Sequence, residues 1–541
     1  MFNRGISTAL EAAQFIKPDY GLLSDPFELD DMREAVEKIV GAVKSGKRIA
    51  IYGDYDVDGV TATALLVRFF KKIDNEVVSY IPLRKDEGYG LHNEAILELK
   101  KKGVDLIITV DCGTTAMEQV DFAKKNGLEI IITDHHALAA LEGQPQLPNT
   151  LVINPKRQDR DKPYYNLAGV GVAFYLVRGL QQYFMECLPL GQEKWFLDLV
   201  AIGTVCDVVE LTKDNRILAS YGLRVLSKTR NIGLLSLAII AEVNLDQVNT
   251  YKIGFVLGPR LNAAGRIEDA RQSLELLTTE DTDRAVKIST SLDKLNTERQ
   301  EITQRIVEEA RELILSSDEY KRRKVLVLKN KDWPVGVVGI AASRLVEEFS
   351  KPVLIMEEEG DELKGSARSV GGFNIIEALN QCSECFLHYG GHSQAAGFKL
   401  DKDKFLLLDE KLIKISDDKI EETDLIPEVL IDLDLTNKII DQKLVKNLSE
   451  LEPYGAGNFK PVFILNKVTI KQANLVGADH NHLKLVLENK NILLNAIAFN
   501  YGDNLAFGVN DRIDIVFTLE INEWKNQKKV DLHIIDLKPS K

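Results

Sequence analysis

Residues 48–59 read RIAIYGDYDVDG, an apolar run followed at once by three aspartates at alternate positions. Further short apolar runs alternate with helical patterns along the next part of the chain, at 60–72, 77–81, 93–101, 106–110, 115–126 and 129–133. Apolar runs that alternate with helices in this way are typical of buried parallel strands. Residues 47 to about 154 are therefore predicted to form an α/β domain with a doubly wound parallel sheet.

Acidic and histidine residues follow three of the four predicted strands. They are Asp54, Asp56 and Asp58 after the first strand, Asp111 after the third, and Asp134, His135 and His136 after the fourth. Ligands of such sheets bind in the crevice outside the carboxyl ends of the strands. We therefore expect these side chains to meet in one crevice.

The spacing of Asp54, Asp56 and Asp58 indicates a cation site. In an extended segment their side chains would share one face and repel one another strongly unless a multivalent cation bound them. An EF-hand calcium loop begins similarly, but here Leu65 stands where that loop needs a glutamate, and a strand precedes the loop. An acidic surface turn is the plain alternative, although such a turn rarely follows a buried strand so directly.

The histidine pair narrows the choice of cation. Two adjacent histidines point in different directions, so we expect one to be a ligand and the other to be free to donate to a phosphate. Oxygen ligands with one or two imidazoles suit Mn²⁺ or Mg²⁺ better than Zn²⁺. Cys112 follows Asp111 and is expected to point into packing, and the pair Cys382 and Cys385 is also interpreted as packing, within a predicted helix.

The composition limits the class of protein. The net charge is −14, from 68 basic and 82 acidic residues, which counts against a non-specific duplex binder but not against a local nucleic-acid groove. Five scattered cysteines favour a reduced cytoplasm over a disulfide framework. We expect a cytoplasmic protein without a membrane partner, because neither a bilayer-spanning apolar run nor a secretory signal is visible.

The chain is too long for one core, and its pattern changes along its length. A long amphipathic helix is predicted from 284 to about 315, then a second α/β lobe, and after 426 short alternating strands typical of a small barrel such as an OB-fold. The predicted divisions are an N-terminal extension at 1–46, a catalytic domain at 47–283, a connecting helix at 284–320, a smaller α/β domain at 321–422 and an OB-like β-barrel at 423–541. No extra C-terminal domain is expected.

Eight motifs in order resemble the DHH phosphoesterase family and, within it, the RecJ group of single-stranded-DNA exonucleases. They are GDYDVDG at 53–59, DCG at 111–113, DHH at 134–136, AIGTVCDVV at 201–209, GPRLNAAGR at 258–266, GSARS at 365–369, GGHSQAAG at 390–397 and LEPYGAGN at 451–458. One departure is Pro334, which occupies a region where the family commonly has a histidine.

The resemblance implies a ligand set for two ions of Mn²⁺ or Mg²⁺. Asp58, Asp111, His135 and Asp207 would hold one ion, while Asp54, Asp56 and Asp111 would hold the other, with Asp111 bridging. His136 would contact the scissile phosphate. Two such cations would favour in-line phosphoryl displacement.

The resemblance also implies that the second lobe is the DHH-associated domain that contacts substrate. Arg84, Ser366 and Arg368 resemble a pocket for the 5′-terminal phosphate, Arg266 is a further phosphate contact, and a Gly-Gly-His loop brings His392 to the strand. Arginine suits bidentate phosphate recognition, although a single arginine is more often in a surface salt bridge. The barrel would extend the track for the strand.

The function expected from these features is 5′→3′ exonuclease activity on single-stranded DNA in repair and recombination, alongside a single-strand-binding protein and a helicase. A phosphodiesterase for short oligonucleotides or cyclic dinucleotides is a second hypothesis, but such relatives lack the barrel. A catalytically inactive DNA-binding scaffold is a third, and the complete set of ligands argues against it.

Overall fold

The structure is a computed structural model of the chain, and it describes residues 1–84, 87–141, 144–477, 480–501, 507–524 and 527–540. Three sheets, each with its own hydrophobic core, organise the molecule. Among the described residues, no helix combines the length and the apolar character needed to cross a bilayer.

The first sheet is parallel throughout, as predicted. Its strands lie in the order β2-β1-β3-β4-β7, with bounds β1 Ile49–Gly53, β2 Val78–Tyr80, β3 Leu106–Val110, β4 Glu129–Thr133 and β7 Leu151–Ile153. A small antiparallel pair, β5 Ala139–Leu141 and β6 Gln144–Gln146, stands beside it. Gly53 pairs with Val110, and Val110 pairs with Thr133, so the carboxyl ends of β1, β3 and β4 are in register.

The same part of the chain contains the helices that pack on this sheet or beyond it, and apolar clusters cover both faces of the sheet. The helices are α1 Ala9–Ile16, α2 Met32–Lys44, α3 Val57–Lys72, α4 Asn93–Lys101, α5 Met117–Lys125, α6 Gly169–Gln181, α7 Leu197–Cys206, α8 Lys213–Leu226, α9 Ile232–Ile240, α10 Thr250–Lys252, α11 Gly258–Ile267 and α12 Arg271–Thr278. The apolar helices α3, α6 and α7 pack together beneath the ends of the strands.

The prediction that the aspartate motif is an extended segment is wrong. The chain leaves β1 at Gly53, Asp56 is the N-cap residue of α3, and Asp58 lies in the first turn of that helix. The Asp56 side chain accepts a hydrogen bond from Gly59 N at 3.0 Å, which satisfies one of the free amides at the start of the helix. A strand-to-helix turn therefore brings the carboxylates together, because a capping aspartate favours helix initiation over further extension.

The predicted connecting helix is α13, Thr282–Ser316, followed by the short α14, Asp318–Arg322. The second lobe has five strands in the order β11-β12-β10-β9-β8 and three helices. Their bounds are β8 Leu326–Asn330, β9 Val353–Glu359, β10 Glu362–Arg368, β11 Phe386–His392, β12 Ala395–Asp401, α15 Val335–Phe349, α16 Ile375–Asn380 and α17 Phe405–Lys419.

Two local expectations for this lobe are wrong. Gly390, Gly391 and His392 lie on the edge strand β11 instead of in a loop, because they pair in register with β12. The Cys382–Cys385 segment contains only a 3₁₀ turn, Ser383–Cys385, in place of the expected helix. Both cysteines are buried in the core of the lobe, which agrees with a packing role.

The C-terminal part is a closed barrel. Its elements are β13 Leu433–Asp434, α18 Gln442–Ser449, β14 Phe463–Val476, β15 His482–Asn489, β16 Ile492–Ala498, β17 Arg512–Trp524 and β18 Gln527–Pro539. The strands follow the order β14-β15-β16-β18-β17, and pairing of β14 with β17 closes the circle. This is the predicted OB-like architecture, with β18 as a strand that was not predicted.

Arg216 connects the barrel to the catalytic lobe through hydrogen bonds. Its buried guanidinium donates to Phe15 O at 2.7 Å, to Leu451 O at 3.0 Å and to Glu452 O at 2.8 Å. It thereby joins α8, the N-terminal segment and the chain that leads into the barrel. A buried charge requires such partners, so these contacts hold the three segments in one arrangement.

Candidate active site

The carboxyl ends of β1, β3 and β4 bring the predicted ligands into one buried crevice. Their side-chain atoms form two groups in which the possible ligand atoms lie within 4.8 Å of one another, and a third group of this kind joins His136 to Asp111 and His135. The first group contains Asp58, His135 and Asp207, and the second contains Asp54, Asp56 and Asp111. The crevice therefore joins all six residues that the sequence and the resemblance single out as ligands.

His135 links the two groups. Its Nε2 atom lies 3.0 Å from Asp111 Oδ1, 3.5 Å from Asp207 Oδ2 and 3.7 Å from Asp58 Oδ2. Asp111, which belongs to the second group, is thus the nearest carboxylate to a histidine of the first. This placement is compatible with a bridging Asp111.

The buried atoms of the crevice fit a cation. Asp54 Oδ1, Asp111 Oδ1, Asp207 Oδ2 and His135 Nε2 are all buried without a hydrogen-bond partner. Buried polar atoms without partners are rare, and an ion or a water is the usual partner of such atoms. Oxygen atoms with one imidazole nitrogen form a donor set that suits Mn²⁺ or Mg²⁺.

The electrostatics of the crevice also favour a bound cation. Burial, with repulsion from neighbouring aspartates, raises the pKa of Asp111 well above its usual value, and burial and Asp56 raise the pKa of Asp58 to about 7. Burial lowers the pKa of His135 to about 3, so its imidazole is neutral and can act as a ligand. Positive charge in the crevice would reverse the cost of ionising these carboxylates.

The start of α6 holds Asp58 in place. Asp58 Oδ2 accepts a hydrogen bond from Gly169 N at 2.6 Å, and Oδ1 accepts one from Val170 N at 2.9 Å. A Cβ atom on Gly169 would lie 2.6 Å from Asp111 Cβ, and one on Gly203 would lie 2.8 Å from Asp58 Oδ1. Both positions require glycine because the ligands approach the helices closely.

Asp134 orients the histidines and takes no part in the ligand groups. Its carboxylate accepts hydrogen bonds from Thr114 N at 2.9 Å, His135 N at 2.7 Å and His136 N at 3.2 Å. Burial opposes its charge, but the His136 side chain and these hydrogen bonds outweigh burial and lower its pKa. Asp134 is therefore an ionised carboxylate that fixes the DHH turn.

His136 is held by Asp134 and Tyr89. Its Nδ1 lies 2.7 Å from Asp134 Oδ1 and 3.0 Å from the Tyr89 hydroxyl. Although burial favours the neutral ring, the Asp134 hydrogen bond and charge raise the pKa of His136 to about 9. With Nδ1 occupied, Nε2 is the nitrogen that can donate to a substrate.

Tyr89 is a contact that the sequence interpretation missed. Its hydroxyl also lies 3.4 Å from the carbonyl oxygen of Asp111, and its ring packs edge-on against His136 at 5.4 Å. Within residues 83–90, the sequence interpretation names only Arg84 as a substrate contact. Residues 85 and 86 lie outside the described residues.

Arg84, Arg266 and Arg368 form a second, basic group. The Arg84 guanidinium stacks on the Tyr55 ring at 4.9 Å, Arg368 Nη1 donates to Ser366 Oγ at 2.8 Å, and Arg266 Nη1 donates to Gly336 O at 3.1 Å. Tyr55 lies between two predicted ligands in the sequence, so the basic group adjoins the crevice. His392 is exposed on β11, and its pKa is lowered by burial of the ring and by Arg368.

Burial and neighbouring positive charges lower the pKa of Arg266 and of Arg368. Burial, then the charges of Arg84 and Arg299, lower the pKa of Arg266 to about 9, and burial and Arg84 lower that of Arg368. In the described parts of the chain, none of the three arginines of the group forms an ion pair with a carboxylate. Close cations without anionic partners are a ready site for a phosphate.

Cys112 is fully buried beside the predicted ligands, in agreement with its predicted packing role. Its thiol is directed toward Tyr52 O at 3.9 Å, away from the crevice. Asp207 is the C-cap residue of the apolar helix α7, a position with no local pattern that would reveal a ligand.

The fold and the site together define a phosphoesterase of the DHH class, and family models agree. The DHH family N-terminal domain matches residues 48–204, the DHHA1 domain matches 322–421 and the RecJ OB domain matches 431–536. This order of domains covers the catalytic sheet, the second lobe and the barrel.

Curated relatives and solved structures extend the match over the whole chain. The single-stranded-DNA-specific exonuclease RecJ of Bacillus subtilis is 37% identical over 99% of this chain and 67% of its own length, and that of Dickeya dadantii is 35% identical over 94% and 91%. The crystal structure of Thermus thermophilus RecJ in complex with Mn²⁺ is 29% identical with a TM-score of 0.84, covering all of this chain and 75% of that one. The chain belongs to the RecJ family of single-stranded-DNA-specific exonucleases, which are metal-dependent nucleases.

Proposed function

We propose that this chain hydrolyses single-stranded DNA from the 5′ end, with two cations of Mn²⁺ or Mg²⁺ in the crevice. One observation carries the proposal: two groups of buried ligand atoms without hydrogen-bond partners stand beside a group of unpaired arginines. The first arrangement is chemistry for cleaving a phosphodiester, and the second is a means of recognising a terminal phosphate.

The proposed ligand sets follow the two groups. Asp58, Asp111, His135 and Asp207 would hold one cation, and Asp54, Asp56 and Asp111 the other. When bound, two such cations supply Lewis acidity that activates a water and offsets charge on the phosphoryl oxygens. The fixed carboxylates hold that charge in place without reorganisation at the moment of reaction.

His136 is proposed to contact the scissile phosphate. Asp134 keeps the imidazole protonated and fixes the ring, so Nε2–H can donate to a non-bridging oxygen as negative charge develops there. His135 has the opposite character, since its neutral ring presents a lone pair to the crevice. Two adjacent histidines would thereby perform different tasks because their environments shift their pKa values in opposite directions.

The basic group is proposed to select the 5′ end. Arg84, Arg266 and Arg368, with Ser366 beside them, would hold the terminal phosphate one nucleotide from the cleavage site, and His392 would contact the strand from β11. Arginine provides paired N–H donors that match two phosphate oxygens. A strand without a terminal phosphate would lose these contacts, so 5′ phosphorylation should favour cleavage.

The domain divisions and the cellular setting belong to the same proposal. We assign 1–46 to an N-terminal extension, 47–283 to the catalytic domain, 284–320 to the connecting helix, 321–422 to the substrate-binding lobe and 423–541 to the nucleic-acid-binding barrel. The setting is cytoplasmic DNA repair and recombination. A helicase that exposes single strands and a single-strand-binding protein that coats them are the partners that such an activity requires.

The test uses strands labelled at the 5′ or the 3′ end, and a blunt duplex, with Mn²⁺ or with chelator. The proposal predicts immediate release of 5′ label as a mononucleotide from the single strand, late loss of 3′ label and little cleavage of the duplex. Cleavage that begins at the 3′ end, or that persists in chelator, would overturn it.

A further inference from the structure

Tyr251 and Phe255 form an exposed aromatic pair close to the crevice. Tyr251 is 61% exposed and Phe255 is 70% exposed, and their rings stack with centroids 4.9 Å apart and planes inclined by 25°. Large aromatic side chains usually bury most of their surface. Two stacked rings that are both exposed leave outer ring faces and edges open to solvent, and we call this pair the aromatic platform.

A rare backbone conformation carries the platform. Residues Ile253–Leu257 form a π-helical turn between α10 and α11, with Ile253 and Leu257 buried and Phe255 turned outward. Asn249 caps the start of this segment by accepting a hydrogen bond from Lys252 N at 2.9 Å. π-turns are uncommon and often occur at functional sites, because the extra residue redirects side chains at a cost in stability.

The platform adjoins the end of the helix that supplies a predicted ligand. A Cβ atom on Gly258 would lie 2.3 Å from Cys206 Sγ, and Cys206 directly precedes Asp207. A Cβ atom on Gly254 would lie 3.7 Å from Val205 Cγ1. The π-turn is thus packed against the last turn of α7, where the first ligand group ends.

The residue before Tyr251 contacts the segment that leads into the barrel. Thr250 Oγ1 donates a hydrogen bond to Tyr454 O at 2.6 Å, in the chain that leads into the barrel. The basic group for the terminal phosphate lies at the opposite end of α11, at Arg266. A strand whose 5′ end occupies the basic group and whose phosphate lies at the crevice would continue past the platform toward the barrel.

We propose that Tyr251 and Phe255 stack on bases of the single strand on the 3′ side of the cleavage site. The inference rests on the proposed function and adds to it a binding site for nucleobases. Every base offers a flat π-face, so stacking on aromatic side chains holds single strands without selecting a sequence. A duplex cannot use the platform, because its bases are already stacked and paired.

The test measures binding to 5′-phosphorylated oligothymidine in the Asp111→Ala background, where the strand stays intact. The double variant Tyr251→Ala/Phe255→Ala should bind at least about fivefold more weakly, since each stacked base contributes on this order. The variant Tyr251→Phe/Phe255→Tyr retains both rings and should bind like the parent. Tyr183→Ala removes an exposed tyrosine after α6, 44% exposed, and serves as the matched control.

A positional readout separates base stacking from other contacts. We expect 2-aminopurine placed at successive positions of the strand to be quenched at one or two positions in the parent and unquenched in the double alanine variant. Unchanged affinity of that variant would overturn the inference, as would an equal loss of affinity for a strand with abasic sites at those positions. If the unsubstituted protein does not cleave single strands and the Asp111→Ala parent does not bind them, the proposed function fails instead, and this is seen before any platform variant is measured.

Discussion

His135 Nε2 lies 3.0 Å from Asp111 Oδ1, and neither atom has a hydrogen-bond partner. An unprotonated imidazole nitrogen and an ionised carboxylate oxygen at this distance repel each other unless a positive charge lies between or beside them. The pair therefore explains why the crevice is suited to a cation and why its two ligand groups lie side by side.

Asp111→Asn should lower the turnover number by at least about a hundredfold, because several kcal/mol of charge stabilisation depend on this carboxylate. The amide keeps the size of the side chain, so we expect the fold to be retained. Turnover on a labelled single strand measures the effect. Asp318→Asn, at a side chain that is 87% exposed, is the matched control and should leave turnover unchanged. Near-normal activity of Asp111→Asn would rule out a bridging role.

Removal of cations should make stability fall as pH rises. Burial and Asp56 raise the pKa of Asp58 from 3.8 to about 7, so in chelator its contribution is fully present below pH 3.8 and lost as pH rises through about 7. We expect the melting temperature in chelator to be lower at pH 8 than at pH 5.5. Free Mn²⁺ at about a hundred times its Kd should add about 2.7 kcal/mol. Equal melting temperatures with and without cation at pH 8 would contradict the account.

The variants His135→Ala and His136→Ala should both lose turnover, but for different reasons. Loss of His135 removes a predicted ligand, so the stabilisation by Mn²⁺ should shrink together with turnover. Loss of His136 leaves both proposed ligand sets intact, and we expect the Mn²⁺-induced rise in melting temperature to remain while turnover falls about 10- to 100-fold. Calorimetric melting and turnover, measured on both variants, distinguish the two roles. Identical behaviour of the variants would mean that the roles are not divided.

Arg368→Ala should remove the preference for a 5′-phosphate. Charge-assisted hydrogen bonds contribute about 1.5–3 kcal/mol, so the ratio of kcat/KM for phosphorylated and hydroxyl-ended strands should fall by about 10-fold or more. Lys399→Ala, at a half-exposed lysine on the adjacent strand β12, should leave that ratio unchanged. If Arg368→Ala weakens both substrates equally, the arginine does not recognise the terminal phosphate.

The first sheet could be predicted because its strands are nearly all apolar and its helices are bounded by charged ends. The strands at 106–110 and 129–133 coincide with the prediction to the residue. The turn after β1 could not be predicted, since Asp56 can either extend a strand or cap a helix, and the buried contacts of α3 favour the helix.

The candidate site was only partly visible in the sequence. Three of the residues follow apolar runs, and this position marks them as candidate ligands: Asp54, Asp111 and His135. Asp207 follows an apolar helix and becomes a ligand candidate only because α7 ends at the crevice, a tertiary relationship without a local pattern. Tyr251 and Phe255 were missed for the same reason, because periodicity alone would place such rings in a core.

Anomalous diffraction from crystals grown with Mn²⁺ tests the central claim most directly, that the crevice holds two cations in two adjoining ligand groups. The account predicts two anomalous peaks, one among Asp58, His135 and Asp207 and the other among Asp54, Asp56 and Asp111, with Asp111 contacting both. A single peak, or peaks outside the crevice, would contradict it.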